Sequence, residues 1–200
     1  MAWLEPLTLH GKYCTLEPLS PNHHGELVEA VKDGGLWNLW FARVPSPENM
    51  QSEISRRLDL QAKGSMLPFA VLDNKTKKAI GMTTFCWIDS VNKRVDIGWT
   101  WYAKSYQRTA FNTECKSLLL AHAFEQLVCI YVGIRVHKLN HRSREAVERL
   151  GATLEGIIRN YCVMPNGHIA DMCFYSILPH EWPNVKAHLN WLLSKPREAK

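Results

Sequence analysis

Between Phe69 and Val136 the hydrophobic pattern changes period, and that change dictates the kind of sheet this chain can build. Phe69–Asp73, Ala79–Asp89 and Arg94–Ala103 are strand-like runs separated by the polar turns Asn74–Lys78 and Ser90–Lys93. Such short turns join antiparallel neighbours, so the runs predict a meander. Asn112–Leu127 then shows helical spacing through Cys115, Leu118, Leu119, His122 and Gln126, broadened by Leu120, Ala123, Phe124 and Leu127. So wide an apolar face predicts a largely buried helix. Ile130–Val136 reads as a strand again, and strand, helix, strand in that order calls for a crossover to a parallel neighbour. A sheet that turns from antiparallel to parallel across Arg94–Val136 is expected to splay there, and ligands bind at such openings.

The flanking segments complete one domain over residues 1–200, with a core of about 8–193 and a frayed tail at Ser194–Lys200. Tyr13–Pro18 is the first strand candidate. Ser20-Pro21 supplies an N-cap with proline at the first helical position, Leu27 and Val31 share a face, and Gly34-Gly35 stops that helix. A second helix is expected from Ser46-Pro47, with an apolar stripe at Met50, Ile54, Leu58 and Ala62. A short helix over Arg142–Leu150 lies between Asn140 and Gly151. Thr153–Met164 and Ile169–Leu178 flank Pro165-Asn166-Gly167-His168, a strong hairpin signal, and a helix over Val185–Leu193 closes the domain. The fold class is α+β: a mixed central sheet with a meander, one parallel crossover and a terminal hairpin.

Net charge is +5 in 200 residues, which suits an anionic ligand without demanding nucleic acid, because the basic residues form no long run. Cys14, Cys86, Cys115, Cys129, Cys162 and Cys173 show no CxxC spacing, so they read as reduced thiols, mostly buried, rather than zinc ligands. His23-His24 and His137…His141 read as surface or loop histidines, and no metal site is expected. No apolar run is long enough for a membrane span, and Met1–Leu9 lacks the features of a signal peptide; the expectation is a cytoplasmic protein.

Chemistry concentrates at Trp101–Glu114, where a strand ends, a short polar loop follows and the buried helix begins. Unpaired N–H groups at a helix start favour phosphate. Arg108 adds a planar donor fork, and Thr109 and Asn112 add short polar groups. The same residues also read as an ordinary capped helix, with Asn112 as N-cap and Arg108 in solvent.

Gln107-Arg108-Thr109-Ala110-Phe111-Asn112-Thr113-Glu114, with Leu118-Leu119-Leu120 and Ala123-Phe124-Glu125 after it, resembles the acetyl-CoA loop and helix of the GNAT (GCN5-related) acetyltransferases. Asn140…Ser143…Ala146…Leu150-Gly151-Ala152…Glu155-Gly156…Arg159, Asn166-Gly167…Asp171…Tyr175-Ser176 and Glu181-Trp182-Pro183 resemble the RimJ/RimL subgroup. The resemblance implies a GNAT-like fold with helices on both faces of the sheet. It implies acetyl-CoA as cosubstrate, held by Trp101, Tyr102, Ala103, Gln107, Arg108, Thr109, Ala110, Phe111, Asn112, Thr113, Asn140 and Ser143. Trp101–Ala103 would pair its backbone with the pantetheine as an added strand and turn N–H groups to the thioester oxygen. Asn140 would hydrogen-bond the pantetheine, and Ser143 would sit near the sulfur. Arg108 and Ala110 depart from the family pattern, which favours glycine there.

The implied reaction is acetyl transfer to a primary amine, on a protein N-terminus or a small molecule, in a ternary complex without a covalent enzyme intermediate. Ser143 is the expected donor to the departing thiolate. Cys162 stands where some RimJ/RimL enzymes carry a glutamate, so the base falls to Glu155, Asp171, Asp96 or His168, or to a water chain. Glu155 is expected to gain basicity by burial, and Asp171 equally to pair with Arg159. Cys162 is expected to be a buried structural thiol. Trp37, Trp40, Phe41 and Trp87 are expected to line an acceptor pocket, while the Leu36–Phe41 stretch reads equally as a core plug. The alternative function is a non-catalytic CoA sensor or protein-interaction module on the same fold. Exposed edge strands leave homodimerisation open.

Overall fold

A computed structural model describes residues 3–195; of the expected tail, residues 196–200 lie outside the described residues. The strands are β1 Leu9–His10, β2 Cys14–Pro18, β3 Met66–Asp73, β4 Ala79–Asp89, β5 Arg94–Tyr102, β6 Tyr131–His137, β7 Thr153–Val163 and β8 Ile169–Ile177. The helices are α1 His24–Lys32, α2 Met50–Ala62, α3 Ala110–Ala121, α4 His141–Arg149 and α5 Trp182–Ser194. All strands form one sheet in the order β1-β2-β3-β4-β5-β6-β8-β7. The meander is antiparallel, as expected. Only β5 and β6 run parallel, and they pair over just Arg94↔Tyr131, Val95↔Val132 and Asp96↔Gly133. Beyond Asp96 the two strands part, so the predicted splay is present.

Two cores lie on opposite faces of the sheet. On one face α3, α4 and α5 bury Cys115, Leu119, Val147, Val185 and Leu189 against Val132, Ile134 and Tyr175. On the other, α1 and α2 bury Leu27, Val31, Met50 and Ile54 against Ala70, Met82 and Trp101. Among the described residues, no helix is long and apolar enough to cross a membrane.

Several boundaries move. The second helix begins at Met50, because Pro47–Asn49 form a turn. The helix expected at Asn112 begins at Ala110 and is capped by Thr109, whose hydroxyl accepts the Phe111 N–H at 3.4 Å, so Asn112 is not the cap. Its last turn, His122–Gln126, is a π-helix. The terminal hairpin forms, but β8 inserts beside β6 and leaves β7 as the sheet edge. Glu155 is consequently exposed rather than buried, and its carboxylate accepts the Ser176 hydroxyl proton.

Candidate active site

Strand β5 approaches the gap with a distortion. Trp99 takes a left-handed backbone (φ 52°), and the β4–β5 register shifts between Met82 and Thr84, where the pairing passes from Trp101 to Gly98. Trp99 is therefore the extra residue of a β-bulge. Past it, Met82 faces Trp101 and the Ala103 N–H donates to the Ile80 carbonyl at 2.9 Å. Alternation along an antiparallel ladder then turns the Thr100 and Tyr102 N–H groups the other way, into the gap. Of the stretch Trp101–Ala103, only Tyr102 presents its backbone to the gap; the N–H groups of Trp101 and Ala103 face β4. The Tyr102 carbonyl already accepts from Gln107 Nε2 at 3.1 Å.

The loop after β5 is firmly tethered. Ser105 N–H donates to Asp33 Oδ2 at 2.8 Å, and Tyr106 hydroxyl donates to Asp73 Oδ2 at 3.1 Å. The Thr109 hydroxyl donates to the Tyr106 carbonyl at 2.5 Å while it caps α3. The Phe111 ring packs edge-on against Tyr106, 4.9 Å between centroids. Ala110, Asn112 and Thr113 sit in the first turn, where N–H groups have no intrahelical partner. Arg108 is exposed and left-handed (φ 59°). That is the conformation glycine adopts freely, which explains physically why glycine suits this position.

Across the gap, β6 leads directly into α4. The Asn140 side chain caps that helix, its Oδ1 accepting the Ser143 N–H at 3.2 Å. Ser143 is half-buried in the first turn. Helices α3 and α4 both start at the C-terminal ends of the two strands that part, so two helix N-termini flank the open end of the gap.

The candidate bases fare unevenly. Asp96 lies at the last β5–β6 pair, and its Oδ2 meets Arg135 Nε at 2.6 Å. Burial pushes the Asp96 pKa up, while Arg135 opposes the shift. Asp171 pairs with Lys138 at 3.3 Å and accepts the Asn160 N–H at 3.0 Å, not Arg159 as expected. Those contacts, the Asn160 N–H first, lower its pKa. His168 is exposed beside Trp40, at 5.6 Å between ring centroids. Cys162 is only half-buried, with Arg43 Nη2 at 3.7 Å from its sulfur. The other cysteines are buried as expected, and all of them are free thiols.

The aromatic residues divide. Trp37 packs against the α1–α2 core, as the plug reading expects. Trp40 is 47% exposed and stands edge-on to Phe41 and His137, at 5.5 and 5.3 Å. Trp87, 50% exposed, lies under the Arg135 guanidinium at 4.2 Å.

Several charged residues escaped the sequence reading. Arg57 is fully buried and donates to Glu53 Oε1, Thr84 Oγ1 and the Trp99 carbonyl at 2.7, 2.9 and 3.0 Å. It thereby ties α2 to the bulge. Glu114 accepts the N–H groups of Lys12, Tyr13 and Cys14 at 2.8, 2.7 and 2.8 Å. Lys116 is buried with its Nζ 2.8 Å from Thr100 Oγ1, and no carboxylate among the described residues pairs with it.

Burial pushes the Lys116 pKa from 10.5 down to about 8. Below that value the ammonium is charged in folded and unfolded chains alike, and its full burial cost weakens the fold. As pH rises from about 8 towards 10.5, the folded chain gives up the proton first and the cost fades. Lys116→Met is therefore expected to be about 2–3 kcal/mol more stable than wild type at pH 7, with the difference nearly gone by about pH 10. Urea titrations of both proteins at matched pH check this. The comparison cancels the opposite effect of buried thiols such as Cys86 and Cys129, which burial pushes up to about 12.

Comparison with known proteins places the chain in a class. Residues 14–153 match the acetyltransferase (GNAT) domain, and the chain belongs to that family. It is 34% identical over 106 residues to "Putative ribosomal N-acetyltransferase YdaF" of Bacillus subtilis (strain 168), a match spanning 53% of this chain and 57% of that one. A crystal structure of a GCN5-related N-acetyltransferase from Brucella melitensis superposes with a TM-score of 0.83 at 29% identity, covering 96% of this chain and 87% of the other. The microcin C7 self-immunity acetyltransferase MccE, solved with acetyl-CoA and AMP, shares the fold at 21% identity and a TM-score of 0.72, over 84% of this chain and 93% of the other. The name of the Bacillus subtilis relative, "Putative ribosomal N-acetyltransferase YdaF", agrees with the resemblance to the RimJ/RimL subgroup.

Proposed function

We propose that the protein is an acetyl-CoA-dependent N-acetyltransferase acting on a primary amine. The observation that carries this reading is the gap between β5 and β6, bordered by β5 backbone that β6 does not pair beyond Asp96 and flanked by the N-termini of α3 and α4. The acetyl-CoA diphosphate would rest on the Arg108–Thr113 turn, with its charge met by N–H groups and the Arg108 guanidinium. The pantetheine would pair with Thr100 and Tyr102 as an added strand. The amine would approach from the face that carries Trp40, Phe41 and Trp87.

The amine nitrogen attacks the thioester carbonyl carbon and forms the new C–N bond. A β5 N–H near the bulge stabilises the oxyanion. As the oxyanion collapses, the C–S bond breaks and the Ser143 hydroxyl hydrogen-bonds the thiolate. Asp96 and Asp171 are held by cations, Glu155 accepts from Ser176 on the edge strand, and His168 is exposed on the hairpin turn, so we assign the ammonium proton to water. Release of free thiol from acetyl-CoA across a panel of amines and peptides tests the reading. Tight acetyl-CoA binding with no turnover on any acceptor is the result that a CoA sensor predicts.

Arg108→Gly separates conformation from chemistry. Relief of the left-handed arginine is expected to raise stability by up to about 1 kcal/mol. Loss of the guanidinium is expected to weaken acetyl-CoA binding about tenfold. Thermal melts and titration calorimetry on one preparation read both.

A further inference from the structure

On the sheet face opposite the α3 core, α1 and α2 pack on β4 and β3 and not on the strands beyond the gap. Strand alternation places Arg135 and His137 of β6 on that face, opposite Phe174 and Met172 of β8. The segment between α1 and α2 arches towards it. Asn166 Nδ2 donates to the Trp40 carbonyl at 2.9 Å, and Arg43 donates to the Val163 carbonyl at 3.3 Å. The exposed Arg43 thus stands between the Trp99 bulge, whose ring it overlies, and the β7–β8 hairpin.

The charges around this segment are unbalanced. Glu53 is held by Arg56 and Arg57 at 2.8 and 2.7 Å. Asp96 is held by Arg135, and Asp171 by Lys138. Glu155, farther along β7, bonds to Ser176. Arg43 has no carboxylate partner among the described residues. Its guanidinium lies over the Trp99 ring at 5.5 Å and reaches only the Cys162 sulfur and the Val163 carbonyl. Arg56 lies over the same ring at 4.7 Å. A cationic amine that enters alone is repelled by such a site; one that brings its own negative group is drawn in.

We propose that the acceptor carries a carboxylate beside its amine, and that the free donors of Arg43 bind that carboxylate. The inference rests on the acetyl-transfer reading above and assigns its acceptor class. A guanidinium is suited to the task because its planar fork matches a carboxylate.

The test compares matched acceptors in the thiol-release assay: phenylalanine with phenethylamine, and a peptide amide with aspartate in second position with its asparagine counterpart. Wild type is expected to prefer the carboxylate-bearing member of at least one pair, and the preferred pair distinguishes a free amino acid from an acidic N-terminus. Arg43→Gln is expected to raise the KM of that acceptor about tenfold, with kcat, the neutral amine and the melting temperature little changed. Equal use of charged and neutral members by wild type overturns the inference while acetyl transfer stands. So does an equal rise of both KM values in Arg43→Gln. Absence of transfer to every amine overturns the underlying function and the inference with it.

Discussion

Glu114→Ala is expected to lower stability by about 4 kcal/mol, roughly 10 °C in melting temperature. Glu114 sits on α3 but serves the other end of the sheet. Its carboxylate gathers three successive backbone N–H groups, from Lys12, Tyr13 and Cys14, where the chain turns from β1 into β2. Truncation leaves those donors without a partner, and each buried orphan costs about 1–3 kcal/mol. Glu114→Gln keeps the volume but turns an amide NH₂ towards some of the donors, so it is expected to lose nearly as much. The site is also crowded: a Cβ added at Gly11 would lie 2.5 Å from the Glu114 carboxyl carbon. Differential scanning calorimetry of both variants checks the prediction. A loss below about 1 kcal/mol in Glu114→Ala would show that water or the surrounding backbone satisfies those donors.

Arg57→Ala is the second large loss, about 3–5 kcal/mol, because it removes a fully buried guanidinium from its pair with the largely buried Glu53 and strands its other partners. The Trp99 carbonyl and the Thr84 hydroxyl each lose a donor, whereas Glu53 keeps Arg56. The Trp99 carbonyl belongs to the bulge at which β5 leaves β6, so the variant should also loosen the gap. The KM for acetyl-CoA is expected to rise several-fold in Arg57→Ala at a temperature where the protein stays folded. Arg57→Lys is expected to recover only part of the stability, since a point charge cannot serve three acceptors in a plane. Chemical denaturation paired with steady-state kinetics reads both effects.

The fold was legible wherever burial imposes a period. The change from strand to helical spacing across Arg94–Leu127 announced the mixed sheet and its splay, and both are present. The Asn-Gly signal announced the terminal hairpin. A hairpin signal does not say which of its strands pairs with the rest of the sheet, however. Because β8 took the inner place, β7 became an edge, and the expected burial of Glu155 failed. The left-handed Trp99 was equally silent, because its conformation comes from tertiary pairing and a fork from Arg57 rather than from its own preference.

Buried charges were legible only in hindsight. Thr113, Lys116 and Leu120 share one stripe of α3, and Met50, Ile54 and Arg57 share one stripe of α2. A charge inside an apolar stripe is a signal that its partner lies across the core, but the sequence does not name that partner. The loop at Arg108 was recognised by resemblance, and its backbone angle now supplies the physical reason for glycine at that place. The acceptor side was the least legible. Trp37, Trp40, Phe41 and Trp87 were grouped as one wall, yet Trp37 belongs to the core, and the guanidinium of Arg43 was overlooked.

The central claim is that the turn opening α3 and the gap beside β5 hold acetyl-CoA. Isothermal titration of the wild-type protein with acetyl-CoA tests it most directly. The account predicts saturable heat at one ligand per chain, with affinity weakened about tenfold in Arg108→Ala. No binding at millimolar acetyl-CoA, or binding unchanged by Arg108→Ala, would contradict it.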